Sequence, residues 1–289
     1  MPKKGDISVP SVVPVERETL NSTEALTALR ARVAKIEGHT QTLSTGVSAR
    51  AWTSGFAQLD TALGGCFGFG ALHEIMAASP VDLPSASAFA FGMLARLPRY
   101  GPILWCTNRM TRTEYGAPYA PGLAAFGINP ARIISVAVHH PRDLSFVLEE
   151  AARLPALAAI ITEGPLPSFT ASRRLALLLA TSQVPMLFVA DGKLAQGSAA
   201  ATRFVVSPIA AQNTAQNSVQ SAAYDLRAPG PPAFHVTLAR TRGGRPGLQF
   251  ETVFNHASLS FTALSRALSD SVPDRELSVG AAPKRQLSA

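Results

Sequence analysis

Ser85 and Ser87 stand where a phosphate-binding protein keeps the hydroxyl that holds magnesium. They follow a short apolar run, ALHEIM (71–76), and open a longer one, SASAFAFGMLARL (85–97). The order is strand, loop, helix. A working phosphate loop there reads G-x-x-x-x-G-K-[ST]: glycines let backbone N–H groups wrap the phosphates, and the lysine contacts the β- and γ-phosphates. Here the loop reads AASPVDLPSASA (77–88), with no glycine and no lysine, and no lysine occurs between Lys35 and Lys193. Pro80 and Pro84 remove two N–H donors and fix φ. Asp82 adds a negative charge where phosphate would sit. Efficient ATP hydrolysis is not expected at this loop. It reads either as a plain strand–helix connection with Ser85 near the helix cap, or as a weak, unorthodox nucleotide site.

Glu163 closes the apolar run ALAAIITEG (156–164). It stands at a strand's carboxyl end, the edge on which α/β sheets bind ligands. Three roles stay open for it: a solvated strand-end carboxylate, a salt-bridge partner of Arg173 or Arg174, or a protein contact. Arg173 and Arg174 are neighbours on a helix, so they point about 100° apart. The densest basic stretch is ARTRGGRPG (239–247). Arg240 and Arg242 share one strand face by the period of two, and Arg245 lies in the turn. Three guanidinium groups beside a glycine-rich tip can grip a nucleic-acid backbone by charge. They can equally dock on an acidic partner, or form a solvated edge that blocks aggregation. No aromatic residue interleaves with them, which argues against base stacking.

No other constellation carries chemistry. His139-His140 beside Pro141 is a strand-end pair without metal-ligand spacing, and Cys66 and Cys106 lie apart in apolar settings. Of His73 and Glu74, one must face the core and find a hydrogen-bond partner there. No metal, cofactor or catalytic residue is expected.

These groups need a scaffold, and the composition supplies one. The chain has 289 residues, 47% of them hydrophobic and only 16% charged, too apolar for general disorder. Of 26 basic residues, 21 are arginines, and the formal net charge is +7. A pI near 9.9 suits work near nucleic acid as well as plain solubility. No apolar run approaches the ~20 residues of a membrane span, and no secretory leader is apparent, so a cytoplasmic protein is expected.

Residues 1–50 read as an arm, a helix over 21–38 and a linker. The helix carries Leu26, Leu29, Val33 and Ile36 on one face, for packing or self-association. Residues 51–265 read as one core. Strands are expected at 71–76, 102–107, 132–138, 156–164, 184–191 and 202–210, and helices at 85–97, 123–128, 143–154 and 170–183 capped by Thr170. That alternation predicts a mainly parallel sheet with helices on both faces. A mobile loop is expected at 212–223, a β-hairpin over about 232–255 with its turn at 242–247, and a disordered tail at 266–289.

GFAQLDTALGGCFGFGALHEI (55–75) resembles the lead-in to a RecA-type core: a leucine-aspartate pair, Leu59-Asp60, then Leu63-Gly64-Gly65 before the strand. The further pieces GPILWC (101–106), YAPGLAAFGI (119–128) with Arg132, ASRRLALL (171–178) and LARTRGGRPG (238–247) resemble the ImuA family. These are RecA-related accessory proteins of bacterial SOS mutagenesis cassettes. The resemblance spans roughly Gly55 to Asn255. It implies a RecA-like, P-loop-type α/β core with a degenerate Walker A loop. It also implies a non-enzymatic mutasome subunit acting in translesion DNA synthesis and DNA repair. The implied partners are an inactive Y-family polymerase homologue of the ImuB type, and further RecA or single-stranded DNA. The competing expectations are a divergent ATP-binding protein and a DNA-binding module.

Overall fold

The computed structural model describes residues 51–64, 67–191, 197–210 and 230–264. The chain divides into two compact units, Met1–Ala49 and Arg50–Ala289, and every described residue belongs to the second. The expected helix at 21–38, the loop at 212–223, the tail from 266 and Cys66 lie outside the described residues.

In chain order the strands and helices are β1 (Ala51–Trp52), α1 (Ala57–Ala62), β2 (Phe67–Gly68), β3 (Leu72–Ala77), α2 (Leu83–Leu94), β4 (Ile103–Asn108), α3 (Arg109–Tyr115), α4 (Ala120–Ala125), β5 (Ile133–Val138), α5 (Pro141–Ala152), β6 (Ala159–Glu163), α6 (Phe169–Ser182), β7 (Met186–Ala190), β8 (Thr202–Ile209), β9 (Ala233–Thr241), β10 (Leu248–Asn255) and β11 (Ser260–Ala263). Single 3-10 turns sit at Pro80–Asp82 and Pro130–Arg132. Nine strands form one sheet in the order β11-β10-β9-β8-β3-β7-β6-β4-β5. From β8 to β5 every pairing is parallel. From β8 to β11 every pairing is antiparallel. The fold class is the expected one, a RecA-like α/β core with a mainly parallel sheet, helices on both faces and a C-terminal hairpin.

Alternation along each strand sorts side chains onto two faces. Leu72, Met76, Cys106, Ile160 and Phe188 face α5 and α6, where Leu144, Leu148, Leu175 and Leu179 cover them. Ile75, Trp105, Ile161, Val189 and Phe204 face α2 and α4. β3 is buried along its whole length, as a central parallel strand must be. On the α2 side, Phe89, Phe204, Phe234, Phe254 and Phe261 form one ring cluster with centroids 5.0–6.1 Å apart. Each such ring contributes roughly 1.5–3 kcal/mol by burial. Gly92 makes the approach possible, since a Cβ there would stand 2.6 Å from Phe261 Cζ.

The polar residues inside the sheet are matched. His73 is 2% exposed; its Nδ1 lies 2.8 Å from Thr202 Oγ1 and its Nε2 3.1 Å from the Gly68 carbonyl. Burial pushes its pKa down to about 4, against the partial support of the Gly68 carbonyl. The Glu74 carboxylate, on the other face, accepts from Arg203 Nε at 2.7 Å. Both residues of the pair are therefore buried and partnered, where the sequence required this of one. Asp60 in the first turn of α1 accepts from Ser54 N–H and O–H, both at 2.8 Å. Burial raises its carboxyl pKa, and those bonds draw it part-way back.

Candidate functional site

The connection from β3 to α2 is a closed turn. The Ser79 backbone N–H donates to Asp82 Oδ2 at 3.1 Å, and the Ser79 hydroxyl donates to the same oxygen at 2.8 Å. A carboxylate of the chain's own thus takes the backbone donor that a phosphate would need. Pro80 and Pro84 contribute no N–H on either side. α2 starts at Leu83, so Ser85 is inside the first helical turn rather than at the cap.

Ser87 points the other way, about 200° around the helix from Ser85. Its hydroxyl donates to Glu163 Oε1 at 2.6 Å. Ser87 is 8% and Glu163 6% exposed. Glu163 is therefore a buried carboxyl, not a solvated strand end, and it does not pair with Arg173 or Arg174. Burial raises its pKa; the Ser87 hydroxyl and the nearby Trp105 indole favour the ionised form and offset part of that rise. Trp105 is 1% exposed, and its Nε1 reaches no partner at bonding geometry. Its influence on Glu163 is one of proximity.

These groups form the floor of a cleft of about 220 Å³ at the carboxyl edge of the sheet, walled by α2 and the segment Tyr115–Phe126. α3 helps to hold that wall. The Asn108 side chain caps it by accepting from Thr111 N–H at 2.8 Å. The Tyr115 hydroxyl donates to the Pro80 carbonyl at 3.0 Å, tying the wall to the closed turn. Arg112 lies over the Trp105 ring, 5.9 Å from its centroid, and donates to Ser135 Oγ at 3.0 Å. Arg132 donates to the carbonyls of Gly101 and Arg99 at 2.8 and 2.9 Å, which fixes the loop before β4. The cleft was not legible as a unit, because its floor joins residues 87, 105 and 163 from three elements.

The basic cluster has a different setting. Arg240 donates to the Ser198 carbonyl and Arg242 to the Ala199 carbonyl. Ser172 Oγ on α6 accepts from Ala199 N–H at 3.0 Å. The two arginines therefore brace the segment before β8 against the hairpin. The glycine-rich tip is docked: the Arg245 backbone N–H donates to the Ala62 carbonyl at 3.0 Å. A Cβ on Gly244 would fall 1.7 Å from that oxygen. The Arg245 side chain remains exposed. On α6, Arg174 pairs with Glu149 at 2.8 Å and Arg173 is exposed. α6 is capped by Ser168, whose Oγ accepts from Ala171 N–H at 3.3 Å, and not by Thr170. Among the described residues no group of three or more His, Cys, Asp or Glu can hold a metal ion, and no helix is long and apolar enough to cross a membrane.

Known proteins with the same motifs carry the name that the sequence suggested. The ImuA proteins of two Caulobacter vibrioides strains are each 30% identical over 209 residues, covering 65% of this chain and 79% of theirs. The chain belongs to the ImuA family. This ImuA-family chain is also similar to the crystal structure of the RadB recombinase, at a TM-score of 0.48 and 12% identity, covering 74% of this chain and 99% of that one. No family model matches the sequence.

Proposed function

We propose that the chain is a non-catalytic RecA-like adaptor in SOS-induced translesion synthesis, docking on an inactive Y-family polymerase homologue of the ImuB type. The observation that carries this reading is the Asp82 carboxylate on the Ser79 N–H and hydroxyl. With an anion of its own in the loop and no lysine between Lys35 and Lys193, the chain lacks both devices that grip a triphosphate. Membership of the ImuA family supports the setting in DNA-damage mutagenesis. Family and closed loop together favour an architecture kept for partners, in the cytoplasm, without cofactor or turnover.

RecA and single-stranded DNA are further partners in this reading. A DNA contact is favoured by the exposed Arg173 and Arg245, whose charge suits phosphate contact. Arg240, Arg242 and Arg174 support it less, since each already donates to the protein. Two experiments test the proposal. Titration calorimetry with ATP and magnesium is expected to give no heat, and ATP turnover to match buffer. Co-purification with the ImuB-type polymerase homologue is expected to give a complex. ATP binding that Ser87→Ala abolishes, or no complex with that homologue, would overturn the proposal.

A further inference from the structure

The cleft at the carboxyl edge holds polar groups that an adaptor does not need. An apolar cavity of roughly 150 Å³ accepts benzene, so a cleft of about 220 Å³ has room for a two-ring ligand. Its floor presents two hydrogen-bonding groups. One is the Glu163 carboxyl, with Oε1 already engaged by Ser87. The other is Trp105 Nε1–H, buried and unpartnered. A buried donor without an acceptor costs about 1–3 kcal/mol, which a ligand acceptor would recover. The walls are apolar, from Leu83, Phe91, Leu123 and Phe126, with Tyr119 at the rim and 74% exposed.

The floor selects among ligand classes. A phosphate is disfavoured, because no lysine or arginine lines the cleft and Asp82 occupies the donors of the adjoining turn. An ammonium would suit Glu163 but would face the Trp105 N–H donor with another positive charge. A phenyl ring would satisfy neither group. A flat ring bearing an N–H beside a carbonyl or ring nitrogen satisfies both.

We propose that the cleft binds one uncharged purine-type base, its N–H donating to Glu163 and its neighbouring acceptor receiving the Trp105 Nε1 proton. A free nucleoside and an unpaired base of a single strand present this same edge. Recognition needs no phosphate grip, so the inference stands beside the closed loop and does not depend on it.

The test is calorimetric titration of the full chain with guanosine, adenosine, a purine-containing single-stranded octamer and GTP with magnesium. Binding of a nucleoside is expected. Trp105→Phe removes the donor, keeps an aromatic ring and should weaken binding about tenfold. Gly122→Leu should abolish it by filling the cleft. That site tolerates a side chain, since a Cβ there meets only Tyr119 atoms at 3.7 and 3.9 Å, and its thermal midpoint reports folding. Tyr119→Ala, at the exposed rim, should weaken binding without unfolding the chain. If the octamer binds, the nucleosides do not, and Gly122→Leu abolishes the binding, the base is read within a strand and the proposal holds. It is overturned if neither nucleosides nor octamer bind at millimolar concentration, or if Gly122→Leu binds as the parent does. GTP binding a hundredfold tighter than guanosine would instead sink the closed-loop reading and leave the base site standing.

Discussion

His73 makes the fold sensitive to mild acid. Its ring is sealed between Trp52 and Phe67, with centroids 5.9 and 5.4 Å away, and its two nitrogens are engaged by Thr202 and Gly68. Burial holds its pKa near 4, below the ordinary 6.5. The unfolded chain therefore takes up a proton as pH falls through 6.5, and the folded chain does so only near 4. Stability from this group is complete above pH 6.5 and is lost on the way down. At about 1.4 kcal/mol per pH unit the full loss is about 3 kcal/mol, of which about 2 is gone by pH 5. Urea unfolding of the parent and of His73→Gln, followed by tryptophan fluorescence, isolates the effect. The variant should be less stable at pH 8, where it loses ring packing. The stability gap should shrink by about 2 kcal/mol between pH 8 and 5. Asp60 and Glu163, whose raised carboxyl pKa values act in the opposite sense, cancel in this comparison. A gap that stays constant over that range would refute a neutral, buried His73.

Three other outcomes are expected. Gly244→Ala should cost about 2–3 kcal/mol, because overpacking against the Ala62 backbone lifts the hairpin tip. Arg245→Ala should stay within about 0.5 kcal/mol, and equal thermal shifts for the two would mean that the tip is not docked. Arg203→Met strands the Glu74 carboxylate, whose side chain is 0% exposed, and should cost about 3–5 kcal/mol. The double change Glu74→Leu/Arg203→Met should recover most of that in urea unfolding; a double variant weaker than the single one would contradict the pairing. Ser79→Ala removes the hydroxyl donor to Asp82 and should lower stability by about 1 kcal/mol without creating ATP binding, which calorimetry checks.

The parallel strands were legible because a strand covered on both faces has to be apolar throughout, and ILWCTN and AIITE are buried at every position. The helix RMTRTEY left no such mark. It buries no residue, so it has no apolar stripe, and it exists because Asn108 caps it at the end of β4. The start of α2 was misread by two residues because Pro80–Asp82 forms its own turn and delivers the chain already helical. Glu163 was readable as a strand-end residue, but its burial depends on α2 crossing above it, which no local pattern carries. The arginine cluster had the same difficulty. Its spacing was plain, but the carbonyls that Arg240 and Arg242 reach belong to residues some forty positions earlier.

The central strand β3 is laid down early, yet its two neighbours, β7 and β8, come late. Phe89 on α2 waits still longer for Phe261. Roughly 170 residues separate those rings, and a ribosome adding about 5–20 residues per second needs about 10–30 s to cover that stretch. For that interval the nascent chain carries an uncovered aromatic helix and an unpaired parallel strand. The C-terminal hairpin therefore acts as the closing step of synthesis. Chains released before residue 261 should be the ones that chaperones hold and proteases clear, so cellular abundance should respond to truncations there far more steeply than to changes at the cleft.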